Sequence, residues 1–285
     1  MSMRLATFRS LWTNGYDLDG ALEECSRGEY DGVEGPVPVE LNRRGDFVNK
    51  LKDSGVPYIA EITTGGSYVP STRKMSEHLN DLERRLAASQ EAEPLFCTIL
   101  GGCDAWSLEV SLEFFDCAIQ IADQAGAAVS FETHRSRSTF TPWQTAQIIA
   151  QLPSLRLTAD FSHWCCVCER LVLEEEPELL ARLAARTHHV HARVGYEQGP
   201  QVPNPAAPEY GSALAAHERW WEAIWQAQEA AGYEFTTLTP EFGPDGYLQA
   251  APFSQEPVAS LDVVNEWMAG RQRERFSHFS MTSAA

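Results

Sequence analysis

Four stretches of the chain end in residue types that hold divalent cations or move protons. Residues 155–163 read Leu-Arg-Leu-Thr-Ala-Asp-Phe-Ser-His, a strand-like run that delivers Asp160 and, three residues on, His163. Residues 129–134 deliver Glu132 and His134, residues 188–193 deliver His191 and Arg193, and residues 235–241 deliver Glu241. Side chains alternate faces along a strand. Ser130, Glu132 and His134 therefore share one face, as do Arg156, Thr158 and Asp160. The same holds for His189, His191 and Arg193, and for Thr237, Thr239 and Glu241. The opposite faces carry Val129, Phe131, Leu157, Val190 and Val194.

Taken singly, a Glu at a strand end reads as a solvated or ion-paired residue, and a His as a satisfied polar side chain. Converging from four consecutive strand ends, Glu132, Asp160, His191 and Glu241 would repel unless a cation sat between them, because unpaired buried charges cost several kcal/mol each. Three oxygen donors and one nitrogen suit one divalent ion, Mn²⁺, Mg²⁺ or Co²⁺, with Zn²⁺ also admissible.

The elements that must position these residues follow from periodicity and punctuation. Strand signals recur at 4–8, 31–34, 58–63, 95–100, 129–132, 155–160, 188–194 and 235–241. Helical spacing lies between them: Met75, Leu79, Leu82 and Leu86 form one stripe, and Leu108, Leu112, Phe115, Ile119 and Ala122 another. Thr141, Pro142 and Gln144 carry the start signal of a further helix. Helices are also expected over 179–183, 218–230 and 259–268. Eight β-then-α units predict a single α/β domain, a (β/α)8 TIM barrel over 1–276, with a flexible tail at 277–285. Working residues of such barrels sit at C-terminal strand ends. A doubly wound open sheet is the alternative, but no Gly-rich dinucleotide turn follows the first strand. Loops 195–212 and 243–256 would cover the pocket, and Trp12, Trp106 and Trp164 are candidate walls.

Bulk properties narrow the function. With 22 basic and 40 acidic residues the formal net charge is −18, which disfavours binding to phosphate backbones, so no nucleic-acid partner is expected. No leader-like or membrane-spanning apolar run is visible. The seven cysteines are best read as free thiols, and the chain as a cytoplasmic protein. Cys165, Cys166 and Cys168 beside His163 suggest zinc, but no second matching pair exists. The Trp220, Trp221 and Trp225 cluster is read as barrel packing, with a contact in a homo-oligomer as the other option.

Glu132 in Phe-Glu-Thr-His-Arg, Asp160 and His163 in Asp-Phe-Ser-His, His191 in His-Val-His-Ala-Arg and Glu241 in Pro-Glu-Phe make the chain resemble the xylose isomerase-like TIM barrel superfamily. That superfamily includes sugar phosphate isomerases and epimerases and the family 2 abasic-site endonucleases. The resemblance implies that Glu132, Asp160, His191 and Glu241 hold one metal, that Glu132 and Glu241 also transfer protons, and that His163 and Arg193 orient substrate. The chain departs from the ketose 3-epimerases in lacking a further acidic residue after Glu132, where Arg135, Ser136, Arg137 and Ser138 stand. It also lacks the extra metal-binding histidines of the endonucleases.

The expected function is therefore a metal-dependent isomerase or epimerase of a small sugar-like or hydroxy-carbonyl substrate, acting through an enediolate. His134, Arg135 and Arg137 join His163 and Arg193 as substrate-facing residues, and the arginines suit a carboxylate or phosphate on the substrate. A lyase or dehydratase, or a hydrolase, on the same scaffold is the alternative reading. An abasic-site endonuclease and a non-catalytic binding protein rank below it.

Overall fold

The computed structural model describes residues 3–283. Eight parallel strands close into a barrel in chain order: β1 (Arg4–Ser10), β2 (Gly32–Gly35), β3 (Tyr58–Thr63), β4 (Cys97–Leu100), β5 (Val129–Glu132), β6 (Leu157–Ala159), β7 (Thr187–Ala192) and β8 (Phe235–Pro240). β1 pairs with β8 from Arg4↔Phe235 to Thr7↔Leu238, which completes the ring. Between β6 and β7 the register slips, so that Leu157 pairs with Thr187 and Thr158 with His189. One extra residue on β7 is taken up there.

The outer faces of the strands supply the main core. Val33, Ile62, Ile99, Phe131, Leu157, Val190 and Leu238 are fully buried against the surrounding helices. Inside the barrel the floor is apolar, formed by Phe8, Ile59 and Phe96. Gly32 makes room for it, since a Cβ there would lie 2.3 Å from the Phe8 ring. Higher up, the interior turns polar. Thr98 donates to Thr158 at 2.7 Å, and Ser130 meets the same hydroxyl at 2.6 Å. The charged residues of the site lie at the strand ends above this hydroxyl layer, where a (β/α)8 barrel keeps its working groups.

Around the barrel run α1 (Leu18–Ser26), α2 (Leu41–Ser54), α3 (Met75–Gln90), α4 (Leu108–Gln124), α5 (Pro142–Gln151), α6 (Ser162–Val167), α7 (Pro177–Ala184), α8 (Gly211–Ala230) and α9 (Leu261–Ser283). The start of α5 is as its sequence predicts: the Thr141 hydroxyl accepts from Gln144 N at 3.3 Å and Pro142 fills the first turn. Short α6 departs from expectation, because six residues between Asp160 and Cys168 carry too little periodicity to announce a helix. Helix α9 also runs well past the predicted 268. The segment from residue 277, read from sequence as the start of a tail, is helical through Ser283, and Phe276 and Phe279 stack on Trp225 at 5.1 and 5.9 Å. Trp220, Trp221 and Trp225 are wholly buried in the chain's own core, so their packing role is the one observed. No helix among the described residues is long and apolar enough to cross a membrane.

Candidate metal centre and pocket

The barrel brings the four strand-end residues to one point. Ligand atoms of Glu132, Asp160, His191 and Glu241 all lie within 4.8 Å of one another, and all four residues are buried. His191 Nδ1 stands 3.1 Å from Glu241 Oε2 and 3.7 Å from Glu132 Oε1. Both His191 Nδ1 and Glu241 Oε2 are buried without a hydrogen-bond partner. Two orphaned donor atoms facing each other, within reach of two further carboxylates, form a donor set that fits a divalent cation.

Arg193 closes the other side. It is buried, and its Nη2 donates to Asp160 Oδ2 and to His163 Nε2, the latter at 3.0 Å. Its remaining donors reach Ser162 Oγ and the Glu241 carbonyl, each at 3.3 Å. Tyr247 lies under the guanidinium at 4.5 Å and Trp12 at 5.7 Å. The other oxygen of Asp160 accepts from Ser162 N at 3.1 Å and from the Ser162 hydroxyl.

The two glutamates that resemblance marks for proton transfer occupy different electrostatic settings. Burial raises the Glu132 carboxyl to about 7. Burial acts the same way on Glu241, but His191 and Arg193 outweigh it and hold that carboxyl below its ordinary value. For His163, burial and then neighbouring His134 and Arg193 hold the imidazole well below its usual value. Burial and nearby arginines do the same for His134.

Between these four residues and solvent is a cavity of about 160 Å³ lined by Trp12, Glu61, Tyr68, His134, Arg193 and Tyr247, among others. His134 packs against His163 with ring centroids 4.0 Å apart and the rings tilted by 53°, and its Nδ1 lies 2.9 Å from Ser136 Oγ. Arg135 sits over the outer face of Tyr247 at 5.0 Å.

Arg137, expected to face substrate, is turned elsewhere. It is fully buried and donates to three loop carbonyls: Thr64 at 2.8 Å, Gly102 at 3.3 Å and Ser67 at 2.6 Å. Three carbonyls with no other cation nearby satisfy a guanidinium better than an open pocket would, so Arg137 braces the loops after β3 and β4. Of the candidate walls, Trp12 lines the cavity, whereas Trp164 stacks on Phe161 at 4.9 Å in the core. Trp106 packs on His78 at 4.8 Å, away from the site. The seven cysteines are unpaired, with Cys165 buried and Cys166 donating to the His163 carbonyl at 3.2 Å.

Two carboxylates were not anticipated. Glu34, at the end of β2, reaches His189 Nε2 at 3.1 Å and His191 Nε2 at 3.0 Å. Glu61, on β3, lines the cavity, and burial together with Glu34 and Glu241 holds its carboxyl well above the ordinary range. Parity was the available signal: Glu34 shares a face with Gly32 in a strand of four residues, too short for alternation to stand out.

No family model and no curated protein sequence matches the chain. Solved structures do. The chain is similar to a D-allulose 3-epimerase from Methylomonas sp., with TM-score 0.62 and 12% identity over 98% of this chain and 100% of that one. It is similar also to the probable 3-DHS dehydratase AsbF of petrobactin synthesis from Bacillus anthracis, with TM-score 0.59 and 13% identity over 93% and 97% of the two chains. A third is a xylose isomerase-like TIM barrel protein from Mycobacterium smegmatis in complex with magnesium, with TM-score 0.53 and 13% identity over 93% and 89%. Identities this low speak to architecture alone. The chain is thus a (β/α)8 barrel, similar in architecture to these three structures.

Proposed function

We propose that the protein is a divalent-metal-dependent isomerase or epimerase acting on a small, uncharged hydroxy-carbonyl compound of the sugar type. The observation that carries this reading is the geometry at the barrel mouth. Glu132 and Glu241 flank one buried point together with Asp160 and His191, and two orphaned donor atoms face it. A bound divalent ion would supply Lewis acidity, polarising a substrate carbonyl and stabilising negative charge on its oxygen.

The chain's own residues do the rest. One of the two glutamates takes the proton from the carbon beside the carbonyl, giving an enediolate, and the other returns a proton to a different face or atom. The raised Glu132 and the depressed Glu241 suit the two halves of that exchange. Arg193, its charge matched by Asp160, orients substrate oxygens with His163. The aromatic walls Trp12, Tyr68 and Tyr247 exclude water and suit the apolar face of a sugar.

An uncharged substrate is favoured over the phosphate or carboxylate that the arginines suggest in sequence. Arg137 is spent on loop carbonyls and Arg193 on Asp160 and its neighbours, while Glu61 adds acidity to the cavity. The same crowding of carboxylates disfavours a phosphodiester substrate.

The test is incubation of the Mn²⁺-loaded protein in D₂O with a panel of free ketoses. Deuterium incorporation at the carbon beside the carbonyl, without loss of water, is the expected result. Glu132→Gln and Glu241→Gln should each lower turnover by about 10³-fold or more. Loss of water from the substrate would move the assignment to a dehydratase. Near-normal turnover by Glu132→Gln would rule out its proton-transfer role.

A further inference from the structure

His191 is the one metal-ligand candidate with two ring nitrogens to place, and a residue outside the ligand set decides how they are placed. Glu34 Oε1 lies 3.0 Å from His191 Nε2, and Glu34 Oε2 lies 3.1 Å from His189 Nε2. Thr239 also donates its hydroxyl to Oε2. His189 is anchored at its far side by Thr237 Oγ1, 2.7 Å from Nδ1. Glu34 is 1% exposed and both imidazoles are fully buried, so no water competes for these contacts.

These three residues also cluster closely enough to be read as a second metal site. Their bonding argues otherwise. Each Glu34 oxygen already faces an imidazole nitrogen, and His189 Nδ1 has its own partner. No atom of the cluster is left orphaned except His191 Nδ1, which points to Glu132 and Glu241 instead.

We propose that Glu34 is the positioning residue of the metal centre: it accepts the Nε2 proton of His191 and thereby holds the Nδ1 lone pair toward Glu132 and Glu241. An ionised carboxylate can only accept, so its contact to Nε2 requires the proton there. A carboxylate behind a ligating histidine fixes the ring's tautomer and orientation and strengthens it as a ligand. The inference rests on the metal-dependent reading above, but it concerns ligand preparation and not turnover.

The experiment is Mn²⁺ binding to the metal-stripped protein, followed by electron paramagnetic resonance of free ion, with thermal melts of the same samples. Glu34→Gln keeps the shape but offers one acceptor oxygen where two are used, so the amide nitrogen must face one imidazole. Glu34→Asp keeps the charge but withdraws it, and serves if the glutamine variant does not fold. Wild type should bind one Mn²⁺, and both variants should bind about 10- to 100-fold more weakly. Thr237→Val is the control. It removes the far-side partner of His189 in the same buried layer without touching Glu34 or His191, and should lower the melting temperature while leaving Mn²⁺ affinity unchanged.

Wild-type affinity in Glu34→Gln or Glu34→Asp would overturn the assignment while leaving the metal centre standing. An equal loss in Thr237→Val would also overturn it, by reducing Glu34 to a packing residue. Failure of wild type itself to bind Mn²⁺ would instead bring down the metal-dependent reading.

Discussion

Arg137 shows how one side chain's role turns on what its charge meets. Its guanidinium closes on Thr64, Ser67 and Gly102 carbonyls, which ties the loops after β3 and β4 to the segment after β5. Tyr68, a wall of the cavity, lies just beyond the clasp, and its carbonyl accepts from Ser136 at 3.0 Å. Arg137→Met should leave these carbonyls unpaired, costing about 3 kcal/mol and lowering Tm by roughly 5 °C. Arg137→Lys should recover only part, since one ammonium cannot span the same set of acceptors. Unchanged stability with a raised KM would return Arg137 to the substrate. At this scale the convergence of Glu132, Asp160, His191 and Glu241 was readable in sequence because each ends a strand on the inward parity. Glu34 and Glu61 stand on strands with the same parity, but no second His, Asp or Glu in either strand marks them out. The destination of Arg137 was unreadable because its partners are backbone carbonyls more than 30 residues away, to which sequence pattern is blind.

At the level of elements, the strands were predictable to within a few residues because their outer faces are largely apolar. The loops over the pocket were not, since their conformations depend on close approaches between segments distant in sequence. Gly243 is such a point. A Cβ there would lie 2.1 Å from the Trp12 ring. Trp12 is held at 2.9 Å by Asp245 through its indole nitrogen and meets Tyr247 edge-on at 5.3 Å. The ring cannot slide aside without leaving both partners. Gly243→Ala should therefore fold, because the residue needs no left-handed backbone, yet expel Trp12 from the cavity wall. The expected result is a rise in KM of about 10-fold with kcat changed less, together with altered tryptophan fluorescence. An unchanged KM would mean that Trp12 does not contact substrate.

Across the whole molecule, the acid limb of stability reports how the barrel's outer helices hold the loops at its mouth. His217, on α8, is fully buried. Its Nδ1 donates to the Ala213 carbonyl at 2.9 Å, and its Nε2 accepts from Gly195 N at 3.2 Å. That pairing requires the neutral ring, because a second ring proton would confront the Gly195 N–H. Gly195 follows β7 and lies against Ser162, whose carbonyl would be 2.4 Å from any Cβ at Gly195. Ser162 in turn bonds Asp160. Protonating His217 thus loosens the loop that backs the metal centre. Burial lowers its pKa from 6.5 to about 4. The folded value lies below the unfolded one, so the stability it contributes is whole above pH 6.5 and is lost as pH falls toward 4. Raised carboxyls such as Glu132 act in the opposite sense, losing stability as pH rises through about 7, so the wild-type curve alone mixes the two. The difference between wild type and His217→Gln isolates the histidine. Measured by urea unfolding, that difference should shrink by about 3 kcal/mol between pH 6.5 and pH 4. A difference flat across this window would show that His217 keeps its charge state through it, and would detach the loop after β7 from the titration of α8.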